Sequence, residues 1–262
     1  MEHRHKSENR ELIYKKYRDG GWEDTEQIPP DETSVLFIVN GRELVTIQCS
    51  PEGIEDLGAG FLFTNGVIDS INEIETMRFD PGGGSLIIQL NKNEFPVPGR
   101  FIVTSGFGGG PVFDLVPPEG SIRHSFAIPA QSIINLMSAM KNMAVKYQKS
   151  GGIHATALCS LDDIVFLAED VGRQNSMDKV IGHCLSSGVS FDDKALLTTG
   201  RVSFEMIMKT MRAGIPVLAS LSAPTSKAVE LASRCGISLA GYVTDDEFIA
   251  YTHGSVFVTG RV

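Results

Sequence analysis

The sequence predicts an α/β protein in two parts, a smaller N-terminal α+β unit and a larger C-terminal α/β unit with a layered sheet. Three observations point there. From residue 153 onward, strand-like apolar runs alternate with helix-like stretches. Residues 34–48 read as a β-hairpin, and residues 104–129, rich in glycine and proline with few periodic apolar positions, separate the two patterns. The boundaries that follow are a polar tail over 1–30, an N-terminal unit over 31–123 whose connecting loop occupies 104–123, and a C-terminal unit over 124–262.

In the first part, Ser34 to Val39 and Glu43 to Gln48 flank Asn40-Gly41, a pair that accepts the positive φ angles of a tight type I′ turn. Ser50-Pro51 offers a capping hydroxyl followed by proline at a first helical position, and Gly66 closes that helix. Two short strands flank Pro81-Gly-Gly-Gly84. In the second part, Ile133, Met137, Met140 and Ala144 recur at helical spacing before Gly151-Gly152 ends the helix. A methionine stripe of this kind reads as core. Strands follow at 153–158 and 164–168, then a helix opened by Asn175 with Asp178 in its first turn, where a carboxylate suits the helix dipole. Thereafter come a strand at 195–199, a helix from Ser203, a strand at 215–220, a helix from Thr225 to Gly236, and strands at 237–243 and 248–252. Such alternation favours a mostly parallel or mixed sheet with helices on both faces.

In such sheets ligands bind beyond the carboxyl ends of the strands, where loops and helix N-termini present backbone N–H donors. Three loops with polar clusters occupy those places: Glu169-Asp-Val-Gly-Arg-Gln-Asn175, Gly200-Arg-Val-Ser203 and Ser222-Ala-Pro-Thr-Ser226. Arg173 and Arg201 have the fork geometry that clamps phosphate, and Ser203, Thr225 and Ser226 carry hydroxyls beside helix starts. Taken singly, each serine or threonine has the chemistry of a helix cap and each arginine that of a solvated charge; their coincidence on one sheet edge outlines an anion site. His154, second in its strand, suits a ligand or acid/base role and equally a packed one. His183 reads as packing.

A net charge of −9 and a pI near 5.2 argue against a broad basic surface, so no nucleic acid partner is expected. Met1 to Arg10 lacks the apolar segment of a signal peptide and no run approaches the ~18 apolar residues of a membrane span, so the expected location is cytoplasmic, with no membrane partner. Cys49, Cys159, Cys184 and Cys235 are far apart with no C-x-x-C spacing, which favours buried reduced thiols over a zinc site or disulfides. Cys49 is the one placed near a helix start, where a thiol pKa falls. No G-x-x-x-x-G-K-[ST] occurs, and Gly106-Phe-Gly-Gly-Gly110 runs into Pro111 rather than a helix, which removes the P-loop and Rossmann modes. His154-Ala-Thr156 lacks the glutamate of a zinc deaminase and no cysteine pair follows it.

The runs Gly151-Gly-Ile-His-Ala155, Glu169-Asp-Val-Gly-Arg-Gln-Asn-Ser-Met-Asp-Lys-Val-Ile-Gly182, Gly200-Arg-Val-Ser-Phe-Glu-Met206, Ala213-Gly-Ile-Pro-Val217, Ser222-Ala-Pro-Thr225 and Tyr251-Thr-His253 together closely resemble the FdhD pattern. Val39-Asn-Gly41 and Leu57-Gly-Ala-Gly-Phe61 extend the resemblance over residues 34–253. It implies a cytidine-deaminase-like three-layer α/β/α domain without deaminase chemistry, and a homodimer. It also implies an accessory role in maturing molybdenum-dependent formate dehydrogenase: binding molybdenum bis(molybdopterin guanine dinucleotide) as a client, with sulfur passed to it from a cysteine desulfurase. The cofactor-binding residues so implied are His154, Asp170, Gly172, Arg173, Asn175, Gly200, Arg201, Ser203, Ser222, Thr225, Tyr242, Thr244, Tyr251 and His253, with no intrinsic metal.

In the family a loop cysteine receives the sulfur as a persulfide, which requires a thiolate. In this sequence the loop reads Thr104-Ser-Gly-Phe-Gly-Gly-Gly110, with Phe107 and Gly110 at the two cysteine positions. Neither forms a persulfide, so the resemblance also admits a paralogue that binds cofactor or partner without transferring sulfur. Gln174 stands where the family has histidine, and Asp245, Asp246 and Glu247 put acid in a segment where the family implies nucleotide contacts.

Overall fold

The computed structural model describes residues 14–25, 29–95, 100–101, 111–112, 122 and 126–260. Strands β1 (Tyr14–Arg18) and β2 (Gly21–Thr25) pair as a hairpin within the stretch read as a tail, and its aromatic pair Tyr17 and Trp22 stays exposed. Next come β3 (Thr33–Val39), β4 (Arg42–Cys49), α1 (Ile54–Thr64), β5 (Ile74–Asp80) and β6 (Ser85–Leu90), with the sheet order β4-β3-β6-β5. The β3–β4 turn is the expected one: Asn40 and Gly41 have φ of 49° and 75°, both positive as type I′ requires.

Short strands β7 (Arg100–Phe101), β8 (Pro111–Val112) and β9 (Ile128–Pro129) lead to α2 (Ala130–Met143), α3 (Val145–Ser150), β10 (His154–Cys159), β11 (Ile164–Asp170) and α4 (Arg173–Ser186). Then follow β12 (Ala195–Thr198), α5 (Phe204–Ala213), β13 (Val217–Ser220), α6 (Ser226–Cys235), β14 (Ser238–Gly241), β15 (Ile249–Ala250) and β16 (Phe257–Val258). The large sheet has the order β11-β10-β12-β13-β14-β15, parallel only across β12-β13-β14 and antiparallel elsewhere. It is the mixed sheet of the expected α/β architecture.

Alternation along the strands sorts its faces. Leu158, Leu196, Leu218 and Leu239 pack toward α4, α5 and α6, whereas Ala157, Leu197, Val217, Ala219 and Ala240 pack on the face where α2 contributes Ile133, Met137 and Met140. The methionine stripe is core, as read. The first of these clusters continues without a break into Val35, Phe37, Leu57, Leu62, Leu86 and Ile88, so the two parts of the chain share one apolar core. The proposed cut near residue 124 and the loop 104–110 lie outside the described residues.

The junction is the crossing of α1 on α4, and glycine makes it close. A Cβ on Gly60 would sit 1.9 Å from the Asp178 carbonyl oxygen, and one on Gly182 would sit 1.9 Å from that of Asp56. Beneath the crossing, Asp178, Lys209 and Thr64 are all buried; Lys209 bonds to Asp178, and the Thr64 hydroxyl donates to the same carboxylate at 2.8 Å.

Two helix starts differ from expectation. Helix α1 begins at Ile54 with Gly53 as its cap at φ 65°, and Ser50 is used elsewhere. Helix α4 begins at Arg173, so Asn175 lies inside the first turn and Asp178 beyond it. Asp178 answers Lys209 rather than the helix dipole: burial pushes its carboxyl pKa up, against the pull of Lys209 and Thr64.

Candidate functional site

The register puts the critical loops on one edge. His154 pairs with Asp170, Thr156 with Thr198, Thr198 with Ser220 and Ala219 with Ala240, so β10 starts where β11, β12, β13 and β14 end. Along that rim run His154, the 170–175 turn, the 199–203 turn, the 221–225 turn and Tyr242. The 199–203 and 221–225 turns are zipped together: Val202 N–H donates to Ala223 at 3.1 Å, and Thr225 N–H donates to Val202 at 2.9 Å.

Arg173 and Arg201 are neighbours on this rim, each carrying charge the other feels. Burial and then Arg201 lower the pKa of Arg173, with Glu205 acting against them. A Cβ on Gly200 would meet the Arg173 side chain at 2.8 Å and the His154 Nδ1 at 3.2 Å, so glycine there lets Arg173 and His154 close in on the backbone. Burial, then Arg173, lowers the His154 pKa; Asp170 opposes and Arg201 adds to the lowering. His154 therefore sits neutral at pH 7 beside two guanidinium groups. Its Nδ1 lies 3.4 Å from Thr199 Oγ1.

Two buried polar atoms here, Arg173 Nε and Ser203 Oγ, have no hydrogen-bond partner among the described residues. Leaving such groups unpaired costs on the order of 1–3 kcal/mol each, which an anion would relieve. Ser203 is 3% exposed and stands at the N-cap of α5, yet its hydroxyl caps nothing. The first-turn amides of α5 thus receive no cap from the Ser203 side chain. The arrangement fits a phosphate-bearing ligand on chemical grounds: forked cations, helix amides and an unused hydroxyl at a glycine-lined edge.

The remaining expected residues divide. Tyr242 stands on the rim, 48% exposed and at φ 53°, an αL conformation uncommon for a tyrosine. Its N–H donates to the Ser222 carbonyl, and a Cβ on Gly241 would touch Ser222 and the Tyr251 ring at 3.1 Å, which gathers Ser222, Tyr242 and Tyr251. Thr225 is spent capping α6, accepting from Ala228 N–H. Thr244 closes its own acidic turn by accepting from the N–H groups of Asp246 and Glu247. Asp170 is fully buried behind the rim, accepting from Lys179 at 2.6 Å, Ser50 N–H at 3.0 Å, Gly172 N–H at 2.8 Å and Asn175 at 2.9 Å. Asn175 also donates to the Gln48 carbonyl. Asp170, Gly172 and Asn175 therefore hold the loop carrying Arg173. His253 is placed at the far edge, bonded to the Ser233 carbonyl near the end of α6. Phe107 and Gly110 lie outside the described residues.

Sequence reasoning missed the polar residues one layer below: Thr156, Ser176, Thr198 and Ser220. The available signal was hydroxyls ending otherwise apolar strands, as in Leu196-Leu-Thr198 and Leu218-Ala-Ser220.

All four cysteines are buried and free. Burial raises the thiol pKa of Cys49 to about 12, of Cys159 to about 12 and of Cys184 to about 11, and raises that of Cys235 as well. Asp170 adds to the effect at Cys49, which corrects the expectation of a lowered pKa there. Iodoacetamide at pH 8 should label none of these four in the folded protein within an hour and all four in guanidinium; labelling of native Cys49, mapped by mass spectrometry, would contradict its burial.

Fold and rim together define an α/β protein whose arginines, helix start and glycine backbone gather on one sheet edge, and no described helix is long and apolar enough to cross a membrane. The FdhD/NarQ family model matches residues 30–257, and the chain belongs to that family. It is 32% identical over 251 residues to the sulfur carrier protein FdhD of Geobacillus kaustophilus, covering 94% of this chain and 95% of that one. Against the sulfur carrier protein FdhD of Bacillus subtilis it is 32% identical over 248 residues, with coverage of 91% and 93%. A crystal structure described as that of a formate dehydrogenase accessory protein from Desulfotalea psychrophila superposes with a TM-score of 0.76, 24% identity and coverage of 94% and 97%. That likeness bears on the fold.

Proposed function

We propose that the chain serves formate dehydrogenase maturation by binding the guanine-dinucleotide molybdenum cofactor as a client along the β10–β14 rim. The observation that carries this reading is the convergence of Arg173, Arg201 and neutral His154 on the Gly200 backbone, beside the unpaired Ser203 hydroxyl at the start of α5. The bound cofactor supplies molybdenum and dithiolene chemistry for the client enzyme. This chain's part is to hold its phosphates: Arg173 and Arg201 neutralise them, α5 amides and Ser203 donate to them, and the Ser222, Tyr242 and Tyr251 group borders them.

Calorimetry with GDP tests this. Binding is expected at micromolar Kd or tighter, and Arg173→Ala should weaken it roughly ten- to a hundredfold, the worth of a charge-assisted hydrogen-bond donor. Phosphate next to His154 raises the ring pKa from its lowered value in the free protein, so binding takes up a proton. Affinity should accordingly rise as pH falls toward the lowered pKa of free His154, more steeply than in His154→Gln. Absence of heat with GDP and with the intact cofactor sinks the reading.

A second reading, cofactor or partner binding without sulfur transfer, is favoured by the residues themselves. Phe107 and Gly110 carry no thiol, and the four cysteines of the chain are buried. Incubation with a cysteine desulfurase and labelled cysteine should leave no persulfide on the chain; a mapped label would remove this reading. The partners remain the desulfurase and formate dehydrogenase, and a homodimer is part of the proposal.

A further inference from the structure

We infer that a row of buried hydroxyls beneath the rim, Thr156, Thr198 and Ser220 with Ser176 of α4, positions the three rim loops and so sets the spacing of their anion-binding groups. The inference rests on the rim being the ligand site.

Thr156 pairs with Thr198, and Thr198 with Ser220, so three adjacent strands present hydroxyls in one cross-strand row. By alternation the row lies on the face of Leu158, Leu196 and Leu218, toward α4. All four residues are fully buried, where a hydroxyl costs free energy unless it is bonded. Valine or alanine would fill the same space at no such cost.

Each hydroxyl is bonded, and the bonds reach every loop. Thr156 Oγ1 lies 2.8 Å from Ser176 Oγ and 3.3 Å from Thr198 Oγ1. Ser176 Oγ donates to the Arg173 carbonyl at 3.0 Å, and Thr198 Oγ1 accepts from Gly200 N–H at 3.3 Å. Ser220 Oγ donates to the Gly200 carbonyl at 2.7 Å and accepts from Ser222 N–H at 2.9 Å. Gly200 is gripped on both sides, by Thr198 at its N–H and by Ser220 at its carbonyl. The backbones at Arg173, Gly200 and Ser222 are thus joined from below through side chains that no rim ligand touches. These are positioning residues: they act through the loops, holding a geometry that the guanidinium groups would otherwise have to find on binding.

The test is GDP and, separately, inorganic pyrophosphate titrated into the full chain by calorimetry. Thr198→Val, isosteric and lacking the hydroxyl, and Ser220→Ala should each keep the wild-type circular dichroism spectrum and weaken GDP binding about tenfold. Thr198→Ser, which restores the hydroxyl, should bind within about twofold of wild type. In an Arg201→Ala background, Ser220→Ala should cost much less than in the wild type, because the group it positions is gone. Unchanged affinity in both variants, or a full additive loss in the Arg201→Ala background, overturns the inference. Should Thr198→Val fail to fold, Ser220→Ala carries the same comparison. A wild type that binds neither ligand instead removes the rim reading, and this inference with it.

Discussion

Replacing Gly60 by alanine is expected to destabilise the protein by about 3 kcal/mol or more, at the upper end of what overpacking costs. The reason is where the methyl would go. It would sit 1.9 Å from the Asp178 carbonyl oxygen and 2.6 Å from its carbon, and both are backbone atoms that no rotamer change moves aside. The reciprocal contact is as close, since a Cβ on Gly182 would lie 2.6 Å from Gly60 N. Relief requires α1 and α4 to move apart, which opens the core shared by Leu57, Leu62, Val180 and Ile181. Urea unfolding followed by circular dichroism measures the loss, and a change under about 1 kcal/mol would show that the crossing is looser than described.

Lys209→Met should cost about 3–5 kcal/mol, the range for removing one partner of a buried ion pair. Asp178 and Lys209 are both almost fully shielded, and among the described residues only the Thr64 hydroxyl would remain of the carboxylate's side-chain partners. Without Lys209 the carboxyl pKa, already raised by burial, rises further and Asp178 takes up a proton to stay inside. The double variant Lys209→Met, Asp178→Leu should recover most of the loss, because a pair of apolar side chains leaves no charge stranded. Equal instability in the single and double variants would point to packing around Phe61, whose ring lies 5.9 Å from the Lys209 ammonium, rather than to charge.

Local signals in the sequence were legible where a short-range rule decided the outcome. Asn40-Gly41 announced its turn, Thr225 its cap, and the strand and helix alternation its mixed sheet. The shared edge of Arg173, Arg201 and Ser222 followed from that alternation, because successive strand ends must fall together. Ser50 and Asn175 were misread for the opposite reason: both have capping chemistry, yet tertiary partners claimed them. Ser50 bonds to Asp170, Val171 and Lys179 across more than a hundred residues of sequence, and Asn175 reaches Gln48. Glycines 60 and 182 gave no local clue to their use, since each is needed only by the other's helix. The buried hydroxyl row was visible as letters but had no meaning until the register aligned it.

The contacts of Ser50 and Gln48 have a consequence for how this protein could be cut or recombined. The N-terminal portion fastens the turn bearing Arg173 to the rest of the fold, and α1 lends α4 the partner for its glycine-lined flank. Expressing residues 126–260 alone would strip away both supports and bare the apolar core that the two parts share, leaving the turn that bears Arg173 without its anchor. Exchanging halves between distant relatives should fail for the same reason, because each half carries part of the mould in which the other is cast.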